Sequence, residues 1–96
     1  MLDEKDFIKD SCLATPGFEF YPKKKLKIDL DNLSKVFKEH GYYISKNNSP
    51  FYIHVKTDIC EVTIFSSLKI IIKDLIDENK AILSFKKILN LINKVF

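Results

Sequence analysis

His40, His54, Cys12 and Cys60 are the side chains best suited to hold a metal ion or to act as base and nucleophile. The cysteines stand 48 positions apart, no Cys-x-x-Cys occurs, and no pair among the four has ligand spacing, so no metal site is expected. His54 and Glu61 fall on neighbouring predicted strands and could share a proton. A flat sheet lacks the concave, dry pocket that tunes such a pair, and the two read as a cross-strand surface contact. Ser66 and Ser67 are turn residues with no base implied beside them. With two glycines in 96 residues, the Gly-rich loops that cradle phosphates are missing. The chain is expected to be neither an enzyme nor a cofactor binder.

Composition points the same way. At 46% hydrophobic and 30% charged residues, the chain has enough apolar surface for a folded core. No apolar run approaches the length of a membrane span, and Met1 to Asp6 is acidic and unlike a signal peptide. A cytoplasmic, soluble protein with free thiols is the expectation. The net charge of +3 comes entirely from lysine, with no arginine. The bidentate fork that suits phosphate, carboxylate and guanine is therefore absent. Residues 1–20 are net acidic, and the rest of the chain is mildly basic.

These side chains must be positioned by a small set of elements. Asp3 to Cys12 reads as a short helix, and residues 1–17 as an N-terminal segment apart from a single domain over 18–96. Thr15-Pro16-Gly17 breaks it, and Phe18 to Tyr21 is strand-like up to Pro22. Lys23-Lys24-Lys25 reads first as a solvated turn and second as a phosphate contact. Asp29 is the N-cap of a predicted helix from Leu30 to His40, with Leu30, Leu33 and Phe37 on one stripe and Gly41 as its stop. Tyr42-Tyr43-Ile44 resumes extended chain, and Asn47-Asn48-Ser49-Pro50 turns. Three alternating strands follow at 51–56, 60–65 and 68–73, with turns at Thr57-Asp58 and Ser66-Ser67. Asp77 caps a last helix whose apolar stripe runs through Ala81, Ile82, Phe85, Ile88, Leu89, Ile92 and Val95.

The expected fold is α+β, an antiparallel sheet with two helices on one face. Its other face would carry Tyr52, His54, Lys56, Glu61, Thr63, Phe65, Lys69, Ile71 and Lys73. Phe65 and Ile71 are large apolar groups on a face with no covering element, as on a binding surface.

The residues Lys27-Ile28-Asp29-Leu30 resemble the approach to the first helix in one repeat of the TATA-box-binding protein family. Ile64-Phe65-Ser66-Ser67-Leu68-Lys69 resembles that family's Ile-Phe-x-Ser-Gly-Lys hairpin, with Leu68 in the place of its glycine. The likeness covers roughly residues 18–92 and is similar for the small C-terminal extension of some prokaryotic ubiquitin-activating-like adenylyltransferases. It implies a strand-helix-strands-helix repeat. It also implies that Phe65, with Phe51 or Tyr52 as a second ring and Ile71 as a groove contact, lies on a surface that wedges between bases.

Two functions follow as expectations. A binding module for nucleic acid would use Phe65, Tyr52 and Ile71, with Lys56, Lys69 and Lys73 on phosphates. It is placed first because an aromatic ring among lysines suits base stacking. The alternative is a protein-interaction module, an adaptor for an adenylyltransferase or sulfur-carrier system, which the mild charge and missing arginine suit. A homodimer is expected through Phe18, Phe20 and Tyr21. The resemblance implies that two repeats join at this strand, which as an edge would leave backbone groups unpaired.

Overall fold

The computed structural model describes residues 2–11, 16–45 and 50–96. Its elements run β1 (Phe7–Ser11), β2 (Gly17–Pro22), α1 (Leu30–Glu39), β3 (Tyr43–Ser45), β4 (Tyr52–Lys56), β5 (Glu61–Phe65), β6 (Ile70–Lys73) and α2 (Glu78–Ile92). The strands form one antiparallel sheet in the order β1-β2-β6-β5-β4-β3. Both helices cover one face of it, so the expected α+β class holds. Among the described residues, no helix is long and apolar enough to cross a membrane.

Local chemistry sets the helix ends. The Asp29 carboxylate accepts from the backbone N–H groups of Asp31 and Asn32, and Asp77 does the same for Asn79 and Lys80. α1 stops at Gly41, whose φ of 83° is cheap only without a Cβ. The Tyr42 N–H returns to the Phe37 carbonyl and the Gly41 N–H to that of Lys38, while the Phe37 and Tyr42 rings meet edge-on at 5.4 Å.

The sheet's inner face is made by alternate residues. Phe18, Phe20, Ile53, Val55, Val62, Ile64, Ile70 and Ile72 are all buried. From α2, Phe85 is fully buried, stacked on the Phe20 ring at 3.9 Å and edge-on to Phe7 at 5.0 Å.

The N-terminal segment departs from expectation. Asp3 caps only a single 3-10 turn over Glu4–Asp6, with Asp6 reaching back to the Asp3 N–H. Phe7 to Ser11 is then a strand, not a helix. Phe7 turns inward onto Phe85 while Ile8 turns outward, a period of two that long-range pairing selects. Cys12 and Thr15 lie outside the described residues, as do Asn47, Asn48 and Ser49 of the expected turn.

This extra strand corrects a second expectation. β2 is not an edge, since β1 pairs along one side and β6 along the other. Phe18 and Phe20 are core residues, 9% and 3% exposed. The need that was to drive two copies together through Phe18, Phe20 and Tyr21 is met within the chain.

Among the described residues, two that are not glycine take positive φ. Leu68, at 68°, follows a turn closed by its N–H on the Phe65 carbonyl, while the Phe65 N–H bonds the Lys69 carbonyl. This is the left-handed position of a bulged hairpin turn, where glycine is the ordinary choice. Here a leucine accepts the strain and is fully buried in return. Asp74, at 67°, has no such compensation, being exposed. Asp74→Gly is therefore expected to raise stability by up to about 1 kcal/mol, read as a higher denaturation midpoint.

Candidate nucleic-acid interface

Residues directly opposite on neighbouring strands share a face, so the register orders the uncovered side of the sheet into three rows. The row at one end holds Tyr52 opposite Phe65 and Tyr21 opposite Ile8. Between these pairs lies Lys69, its ammonium 5.3 Å from the Tyr21 ring centre and 5.6 Å from that of Phe65. The middle row reads Ser45, His54, Thr63, Ile71, Glu19 and Asp10. The far row reads Tyr43, Lys56, Glu61 and Lys73.

The end row is the aromatic one. Tyr52 and Phe65 lie 5.6 Å apart with their planes tilted by 55°, and Tyr52 also meets the His54 ring edge-on at 5.1 Å. Tyr21, Tyr52 and Phe65 are half-buried, so each ring is held by its neighbours and still presents part of its surface. The Tyr21 hydroxyl donates to Glu19, whose carboxylate is also 3.9 Å from Lys69. Lys69 is thereby pinned above the two rings.

Of the six residues expected to bind, Tyr52, Phe65, Ile71 and Lys69 are brought together at this end and in the centre. Lys56 and Lys73 are not. Lys56 pairs with Glu61 at 3.6 Å, and Lys73 stands directly across the same Glu61 in register. His54 and Glu61 do not pair either. The His54 Nδ1 shares a hydrogen bond with the Thr63 hydroxyl at 2.9 Å, and Glu61 turns to Lys56. Phe51, one of the two candidates for the second ring, would share a face with Ile53 and Val55 by strand alternation, but it is 66% exposed and β4 begins one residue after it.

Tyr21 belongs to this surface rather than to a dimer edge. The alternation within β2 carries the signal, with Phe18 and Phe20 inward and Glu19 and Tyr21 outward. Among the described residues no group of three or more His, Cys, Asp or Glu side chains could hold a metal ion. Cys60 is a buried free thiol, 3.3 Å from the Thr57 hydroxyl that organises the β4–β5 turn. Comparison with protein families, with curated proteins and with solved structures finds no match for this chain.

Proposed function

We propose that this chain is a non-catalytic binding module that engages nucleic acid through the uncovered face of its sheet. The observation that carries this reading is the aromatic row. Three partly exposed rings, Tyr52, Phe65 and Tyr21, lie across the sheet with the Lys69 ammonium set between two of them. Every base has a π-face, so such a row can stack on bases without reading sequence. The expected likeness to one repeat of the TATA-box-binding family supports the same surface, through Phe65.

The test is a titration of labelled oligonucleotides by fluorescence anisotropy. Micromolar-range binding is expected at about 50 mM salt, weakening steeply as salt rises. An absence of binding to both DNA and RNA under those conditions overturns the reading.

A protein partner is the second reading, and the far row favours it. There Lys56, Glu61 and Lys73 form a nearly charge-balanced strip, which suits the polar rim of a protein interface better than a phosphate track.

A further inference from the structure

The lysine-rich segment between β2 and α1 runs along the same end of the sheet as the aromatic row. It leaves β2 where the Lys23 N–H donates to the Asp6 carbonyl, and it reaches the β5–β6 turn where the Ile28 N–H donates to the Ser66 carbonyl at 2.8 Å. Ser66 follows Phe65 directly, and Tyr21 stands two residues before Lys23. The segment therefore spans the row from its Tyr21 side to its Phe65 side. It carries Lys23, Lys24, Lys25 and Lys27, all exposed.

The charge balance of this segment differs from that of the sheet face. The ion pairs among the described residues join Lys9 to Glu78, Lys56 to Glu61, Lys69 to Glu19 and Lys86 to Glu4. None of Lys23, Lys24, Lys25 and Lys27 takes part in one. Leu26 and Ile28 anchor the segment by packing inward, so its exposed lysines are carried by an ordered stretch of chain, although Lys23 and Lys24 share a cavity lining with Asp6. Four cations outside any ion pair, at the same end of the sheet as a row of rings, separate the two tasks that single-stranded nucleic acid asks of a protein, neutralising a backbone and stacking bases.

We infer that the segment from Lys23 to Lys27 is a phosphate track, and that the ligand of the sheet face is single-stranded nucleic acid lying along the aromatic row. The strand crosses the β-strands, its bases on Tyr52, Phe65 and Tyr21 and its backbone over the end of the sheet. From β4 to β2 is three strand spacings, about 14 Å, room for two or three stacked bases. A duplex fits this site less well, because its bases already stack on one another and must be unstacked before rings on an open sheet can reach a π-face, a cost that a single strand does not carry. This inference rests on the reading of the sheet face as a nucleic-acid surface, and it assigns the charge-bearing role to residues outside that face.

The experiment compares three proteins on a short labelled oligothymidylate and on a duplex of equal length, over a range of salt. They are the native chain, a chain with Lys23, Lys24, Lys25 and Lys27 each changed to Gln, and a Lys56→Gln, Lys73→Gln chain. The fourfold change is expected to flatten the slope of log affinity against log salt by up to about three units, at roughly 0.7 for each phosphate no longer neutralised. The Lys56 and Lys73 change is expected to leave that slope where it was. Circular dichroism checks that each variant is folded, and a Lys24→Gln, Lys25→Gln chain, expected to lose about half as much slope, serves if the fourfold variant is not. An unchanged slope in a folded track variant, or an equal loss on changing Lys56 and Lys73, overturns the track. Duplex binding as tight as single-strand binding overturns the choice of ligand. Failure of the native chain to bind any nucleic acid overturns the underlying reading of the face as well.

Discussion

Phe85→Ala is expected to remove a large share of the stability of this protein. The ring is fully buried, stacked on Phe20 and edge-on to Phe7, so one side chain joins α2 to both β1 and β2. Truncation forfeits the transfer of the ring out of water and leaves a cavity between a helix and a sheet that cannot easily close, about 3–5 kcal/mol for a buried phenylalanine. A domain of this size has only roughly 5–15 kcal/mol in hand. The measurement is thermal or denaturant unfolding followed by circular dichroism, and a midpoint equal to that of the native chain would show that α2 does not dock on these strands. The loss should be felt at the N-terminus too. Phe7 is the inward anchor of β1, so hydrogen exchange in Phe7 to Ser11 should quicken beyond what global unfolding explains.

Phe65→Ala should have the opposite signature, with affinity lost and the fold kept. The ring points away from the helices, and its neighbours are Tyr52 and the Lys69 ammonium rather than the core. Removing a stacking ring costs roughly 1–3 kcal/mol of binding, a fall of about five- to 150-fold. Because Phe65 also helps hold Lys69, part of the loss will come from a freed lysine, and the salt slope should change little. The melting transition should stay close to that of the native chain. Unchanged oligonucleotide affinity in the folded variant would sink the stacking role. Loss of binding only to a protein ligand, with no nucleic acid bound at all, would move the function to the second reading.

Much of this molecule could be read from local chemistry. Asp29 and Asp77 before apolar stripes, Gly41 after one, and three alternating strands from Phe51 to Lys73 are signals carried by neighbours in the chain, and each produced the element expected of it. The same alternation placed Tyr52, Phe65 and Ile71 on the uncovered face, because parity in a strand follows directly from position.

Tertiary structure decided what depends on partners distant in sequence. Residues 7–11 carry an ambiguous pattern, and a helix or a strand could form from them. The open side of β2 and the seat for Phe7 on Phe85 select the strand, and neither is visible locally. That choice made β2 internal and Phe18 and Phe20 core, and turned Tyr21 from an expected dimer contact into part of the aromatic row. The lysines were sorted in the same way. Composition counts sixteen alike, but register puts Lys56 and Lys73 against Glu61, while the Ile28–Ser66 hydrogen bond carries the Lys23 to Lys27 segment to the aromatic end. Charge is a property of the residue, whereas its neutralisation is set by distance, which only the folded chain defines.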